Sequence, residues 1–234
     1  MDLALLASVG GFFALRTSPV PGGGHRPLER LYAGENAPLA ARVDRVAARL
    51  RAPERRVAAS IAHLGLAARL WSIALGPAVL FGRMPALAPG DLHWDPSATS
   101  PDDLWLVGTA ELPGTAARIR AEVHDGHLAP LAEAFRRDGN ISRQLLRGNE
   151  GSALAGAVRE LVAFARAHDR PDAAARARAL AAELFDDETL RATGSPHGPA
   201  FRRRSCCLYW RCPGGGLCGD CVFDRVPGPA RAEP

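Results

Sequence analysis

Apolar residues recur at helical spacing over much of the chain. Between Ala40 and Leu50, Val43, Val46, Ala47 and Leu50 alternate with Arg42, Asp44, Arg45 and Arg49, the stripe of an amphipathic helix. A second helix is predicted to open at Pro53, since proline suits the first helical position. It passes Ile61 and Leu64 and reaches about Leu75, where Pro77 is expected to interrupt it. Leu128 to Arg137 reads as helix. Asn140 and Ser142 are candidate N-caps for a short helix ending near Leu146. Beyond a break at Gly148-Asn149, the stripe Leu154, Val158, Leu161, Val162 and Ala165 predicts a helix ending near His168. Pro171 then opens one more, through Leu180 and Leu184 to Asp186-Asp187.

The remaining segments break that period. Residues 18–38 carry Pro19, Pro21, Gly22 to Gly24, Pro27 and Pro38, which is loop chemistry around a short helix from Leu28 to Tyr32. Prolines and Asp95-Pro96 divide residues 84–110 into two short apolar pieces, Leu92 to Trp94 and Leu104 to Val107, predicting a small β-hairpin. Residues 116–123 alternate like a strand but have helical composition, and Asp125-Gly126 is expected to punctuate them. Residues 194–199 read as a linker. The expected fold is therefore mainly α. A helical bundle-like domain spans residues 1–200, with a β insertion near 84–110, and a cysteine-rich segment, residues 201–234, packs on it.

Composition supports the helical reading and excludes several function classes. The 234 residues are 47% hydrophobic and 23% charged, the balance of a folded chain. All 29 basic residues are Arg, and GC-rich coding is the simplest reason for that. A dispersed net charge of +4 gives no footprint for nucleic acid. Met1 to Leu15 has no basic leader or small-residue cleavage site. The best internal apolar run, Leu70 to Gly82, is too short for a transmembrane segment. The expected setting is cytoplasmic, where thiols stay reduced.

The five cysteines, Cys206, Cys207, Cys212, Cys218 and Cys221, lie within sixteen positions. In a reducing compartment such crowding indicates metal chemistry rather than disulfides. Cys218 and Cys221 have the C-x-x-C spacing that lets two thiolates meet one centre. The adjacent pair Cys206-Cys207 requires a bend, because neighbouring side chains of an extended strand point to opposite faces. Residue chemistry leaves two readings open. A structural zinc site would use Cys207, Cys212, Cys218 and Cys221; a [2Fe–2S] cluster would use Cys206, Cys207, Cys218 and Cys221.

The pattern Cys206-Cys207, ten residues, Cys218, two residues, Cys221 resembles the C-terminal signature of the FhuF-type ferric-siderophore reductases. The lead-in Arg202 to Arg204 is similar to that family too, and Leu128 to Leu131 and Gly148 to Ala153 resemble its helical segments more weakly. Cys212 is an additional thiol within the spacer. The resemblance implies a [2Fe–2S] cluster on Cys206, Cys207, Cys218 and Cys221 and one-electron reduction of Fe(III) in ferric siderophores of hydroxamate type, releasing Fe(II). Electrons would come from a donor such as a ferredoxin or a reduced flavin system. No general base or nucleophile is implied. The alternative from another class is a non-enzymatic interaction protein with a zinc knuckle.

Other candidates have plainer readings. Arg202, Arg203 and Arg204 either help dock a donor or substrate or form a solvated charge run. Tyr209 and Trp210 either shield the cluster or support a bound chelate. His124 and His127, beside Asp125, read as a surface loop without a third ligand, and His63 reads as a satisfied core histidine. Trp94 and Trp105 are expected to pack on the hairpin, and Gly22 to Gly24 to be a loop.

Overall fold

The computed structural model describes residues 1–17, 24–197 and 200–228. Nine α-helices occur among the described residues: α1 (Leu3–Val9), α2 (Leu28–Tyr32), α3 (Ala37–Leu50), α4 (Arg55–Phe81), α5 (Ala116–Ile119), α6 (Ala129–Asp138), α7 (Arg143–Ala167), α8 (Pro171–Asp186) and α9 (Glu188–Arg191). A π-helix, Arg120–Leu128, joins α5 to α6. The strands are β1 (Arg16–Thr17), β2 (Arg26–Pro27), β3 (Arg83–Pro85), β4 (Leu92–Trp94), β5 (Leu104–Leu106), β6 (Glu111–Pro113), β7 (Gly194–His197) and β8 (Ala200–Arg203). The protein is mainly helical, as the apolar periodicity predicts.

Helix α4 is the axis of the core. Its 27 residues are the one described helix long and apolar enough to cross a membrane, yet 78% of its most apolar stretch is buried inside the fold. Helices α3, α7 and α8 pack around it, which is why it is apolar on every side. Pro77 does not interrupt it. The helix continues to Phe81 and stops at Gly82, whose φ of +72° makes the left-handed cap. A proline inside a helix costs about 3 kcal/mol, and burial of Ile73, Ala74, Leu75, Ala78, Val79 and Leu80 around it offsets that. Pro53 precedes the helix instead of opening it; Glu54 is the N-cap.

Strands β4 and β5 form the expected hairpin, with His93 opposite Trp105. Tertiary contacts extend it into a four-stranded sheet in the order β1-β5-β4-β2. Trp94 is buried there and Trp105 half-buried. Strands β3 and β6 form a separate antiparallel pair at the end of α4. Within the punctuated 18–38 stretch, α2 forms as expected, while residues 18–23, including Gly22 and Gly23, lie outside the described residues.

Four local expectations are corrected. Residues 116–123 are helical, and Asp125-Gly126 lies within the π-helix rather than ending it. Gly148-Asn149 does not break the chain, because α7 runs unbroken from Arg143 to Ala167; Ser142 is its N-cap position, but without a side-chain hydrogen bond. The 194–199 linker is largely strand: β7 pairs antiparallel with β8, Gly194 opposite Arg203, with Gly198 and Pro199 outside the described residues. Finally, His124 and His127 do not lie in a surface loop. His127 is fully buried, bonded to the Tyr32 hydroxyl at 2.9 Å and to the Leu87 carbonyl.

Candidate metal centre

The hairpin β7–β8 delivers the chain to the cysteines and fixes its position on α7. The Arg203 amide donates to the Asp220 carbonyl at 3.0 Å, and the Arg204 amide to the Thr193 carbonyl at 2.9 Å. Glycine at two α7 positions permits this approach. A Cβ at Gly148 would lie 2.0 Å from the Ser205 hydroxyl, and one at Gly151 would lie 2.0 Å from that of Thr193. The sequence break expected at Gly148 is thus a contact surface on a continuous helix.

The bend required by the adjacent cysteines occurs at Leu208, whose φ of +68° is left-handed. Such a conformation costs roughly 1–2 kcal/mol in a residue with a Cβ. It turns the Leu208 amide toward the Cys206 sulfur, at 3.2 Å. The Tyr209 amide bonds the Cys207 sulfur, the Asp220 amide that of Cys218, and the Phe223 amide that of Cys221 at 3.5 Å. Each of these four sulfurs therefore accepts one backbone N–H, an arrangement that stabilises negative charge on sulfur.

The same four thiols touch in a chain. Cys207 lies within hydrogen-bonding reach of Cys206 and of Cys218, and Cys218 of Cys221. The Cys207 thiol, acting as donor, pulls Cys206 and Cys218 well below the ordinary thiol value, and the Arg203 charge adds to this. Cys207 itself is raised by those same contacts and by burial. Cys212 is different: it is 5% exposed and is raised by burial alone, with no thiol neighbour contributing. Among the described residues, no three His, Cys, Asp or Glu side chains surround a position for a single metal ion.

The arginine run divides into three environments. Arg202 is half-buried, donating to the Val222 carbonyl at 3.0 Å and pairing with Asp224 at 2.9 Å. Arg204 is exposed. Arg203 is 1% exposed, which a solvated charge run does not allow. Its Nη2 donates to Asn149 Oδ1 at 2.6 Å, while its Nε and Nη1 have no hydrogen-bond partner among the described residues. Asn149 continues the network, donating to the Ser60 carbonyl at 2.9 Å, and Ser60 Oγ donates to the Cys207 carbonyl at 2.8 Å. Tyr209 and Trp210 lie half-buried in a 3-10 turn that ends at Arg211. The Arg211 guanidinium lies 5.1 Å from the centre of the Trp210 ring. The Trp210 indole N–H has no partner of normal hydrogen-bond length, but it favours the Cys206 thiolate.

Sequence reading missed the groups contributed by the helices. Asp220 is 5% exposed and accepts from Ser152 Oγ at 2.5 Å and from Arg159 Nη1 at 2.7 Å. These partners are more than 60 residues away, so no local pattern announces them. Glu150 is also buried, with its carboxylate oxygens 3.9 Å from Nε2 of His63 and of His124. Burial raises Glu150 to about 8 and lowers His63 to about 3. His63 is in the core as expected, but neither of its ring nitrogens finds a hydrogen bond among the described residues.

A buried guanidinium with two unused donors beside four thiols, each already holding one amide, fits a group of net negative charge. A [2Fe–2S] centre with four thiolates carries −2 when oxidised and −3 when reduced, so its charge is of the sign that Arg203 would meet. Cys212 lies outside the chain of sulfur contacts. No curated protein matches the chain. Residues 203–223, which span all five cysteines and Arg203, match the family model described as the FhuF 2Fe-2S C-terminal domain.

Proposed function

We propose that Cys206, Cys207, Cys218 and Cys221 hold a [2Fe–2S] cluster and that the protein reduces Fe(III) in ferric siderophores of hydroxamate type. The observation that carries this reading is the meeting of those four thiols beside the unpartnered donors of Arg203, within the segment similar to the FhuF 2Fe-2S domain. A bound cluster supplies electrons singly. The chain's residues hold it and set its surroundings. The amides of Leu208, Tyr209, Asp220 and Phe223 and the Arg203 charge favour the more negative, reduced state, a recognised lever on cluster potential.

The substrate's own chemistry completes the reaction. Hydroxamate oxygens are hard donors that suit Fe(III) better than Fe(II). One electron added to the ferric chelate therefore weakens its ligation, and Fe(II) leaves without cleavage of an organic bond. Each turnover oxidises one equivalent of a one-electron donor, a ferredoxin or a reduced flavin system, in a cytoplasmic setting. Anaerobically purified protein is expected to be red-brown, with iron and acid-labile sulfide near 2:2 per chain. It should convert a ferric trihydroxamate to Fe(II), trapped by a ferrous chelator. A colourless protein that takes up one zinc and no cluster on iron–sulfide reconstitution refutes the proposal.

A further inference from the structure

The described surface carries a cleft of about 410 Å³ that opens against the cysteine segment. Four elements build it. Val9 ends α1 and Gly10 to Phe13 follow it; Leu64, Ala68 and Ser72 come from α4; Ser152 to Glu160 contribute from α7; Cys218, Gly219 and Asp220 close the end. Its volume falls in the range of about 300–1,000 Å³ typical of small-ligand sites. The walls are largely apolar, and the charges along them are few and nearly balanced. Asp220 is held by Ser152 and Arg159, so those two charges cancel and the exposed carboxylate of Glu160 remains.

We infer that this cleft seats the ferric chelate against the Cys218 edge of the metal centre, and that it selects a chelate of zero or single positive charge. The inference rests on the reductase reading and adds a binding site to it. Three observations support it. Cys218 is a lining residue, so an occupant lies within short electron-transfer reach of the thiolate shell. The apolar walls match the hydrocarbon exterior of a chelate whose oxygens all face its iron. The charge is complementary: Glu160, together with a centre of net −2, repels a trianionic tris-catecholate, whereas a neutral or cationic trihydroxamate complex meets no such opposition.

Gly156 provides a way to test the site without disturbing the cluster. It lies in the cleft wall on α7, and a Cβ added there meets only Arg159 Nη2, at 3.7 Å. A larger residue would project into the cleft, and replacing a helical glycine also improves helix propensity. The probe is the gallium(III) complex of a neutral trihydroxamate, which has the shape of the ferric complex but cannot be reduced. Binding is measured by calorimetry on protein as purified. Gly156→Leu is expected to weaken binding at least tenfold with the visible spectrum unchanged, and Ala68→Leu on the opposite wall should do the same. Ala181→Leu, on α8 outside the cleft, should bind as the parent does. A gallium(III) tris-catecholate should bind the parent at least tenfold more weakly than the trihydroxamate, and Glu160→Arg should narrow that difference.

Parent-like affinity in both Gly156→Leu and Ala68→Leu overturns the inference, as does an equal loss in Ala181→Leu. Loss of donor-driven reduction in Gly156→Leu with chelate binding intact also overturns it and assigns the cleft to the donor. The two readings fail separately. A parent lacking a cluster refutes the reductase, while wall-dependent binding of the gallium complex still decides the cleft.

Discussion

Two arginines are buried to the same depth, each 1% exposed, and their surroundings are opposite. Arg69 in α4 pairs with Asp103 at 2.9 Å and donates to the carbonyls of Gly11, Phe12, Ala14 and Pro101, so its fork is filled. It ties the segment after α1 to the turn before β5, and its role is structural. Arg203 has the side-chain oxygen of Asn149 and, among the described residues, nothing for Nε or Nη1. A buried charge that is incompletely partnered costs several kcal/mol. The first site is completed by the protein's own groups, while the second keeps two donors unpaired among the described residues.

Replacing a proposed cluster ligand should have the largest effect. Cys206→Ser, Cys207→Ser, Cys218→Ser and Cys221→Ser are each expected to abolish or severely perturb the visible spectrum, since a hydroxyl replaces a soft thiolate poorly. Cys212→Ser should retain it. Loss in Cys212→Ser with retention in Cys206→Ser would break the ligand assignment.

Next comes Arg69→Met, which leaves Asp103 buried and unpaired. It should cost about 3–5 kcal/mol, the usual penalty for breaking a buried ion pair from one side, as measured by urea denaturation. Arg203→Met should not destabilise the cluster-free protein in that way, because it removes an incompletely partnered charge. A loss as large as that of Arg69→Met would erase the contrast between the two sites.

In the loaded protein, Arg203→Met should instead lower the reduction potential. A unit charge a few ångströms away is worth about 2–4 kcal/mol at an effective dielectric of about 20, on the order of 100 mV for one electron. Arg203→Lys should recover part of the shift. A redox titration followed by electron paramagnetic resonance reads both, and an unchanged potential would deny Arg203 its electrostatic role.

Per unit of pH, the smallest effect is a stability slope from the buried Glu150 and His63. Glu150, raised to about 8 by burial and opposed by the Arg147 charge, keeps its proton in the fold and loses it near pH 4.3 when unfolded. Stability should therefore fall as pH rises from about 4.5 to 8, by at most about 1.4 kcal/mol per pH unit. His63, lowered to about 3 by burial and by Arg203, has the opposite sign. Its stability contribution is lost as pH falls from about 6.5 toward 3, and His127, lowered to about 4 by burial, adds to that loss. Thermal denaturation across pH should show Glu150→Gln flattening the fall between about pH 4.5 and 8. Equal slopes in parent and variant would show that the carboxylate finds compensation in the fold.

The sequence by itself determined the helical class, the hairpin at Leu92–Leu106 and the crowding of thiols, because each depends on neighbours a few residues apart: a 3.6-residue apolar period, paired turn signals, a cysteine spacing. Tertiary structure decided where those local signals were overruled and what reached the thiols from elsewhere. Pro77 stays helical because the core surrounds it, and Gly148 reads as a break until Ser205 is seen packed against it. Arg203 is indistinguishable in sequence from Arg202 and Arg204, yet it alone of the three is buried. The difference arises because β8 alternates its side chains and faces Arg203 toward Asn149, 54 residues earlier in the chain. Long-range burial and charge leave no periodic trace in sequence, so the partners of the cysteine segment, Ser60, Asn149, Ser152 and Arg159, became legible only once the chain was folded.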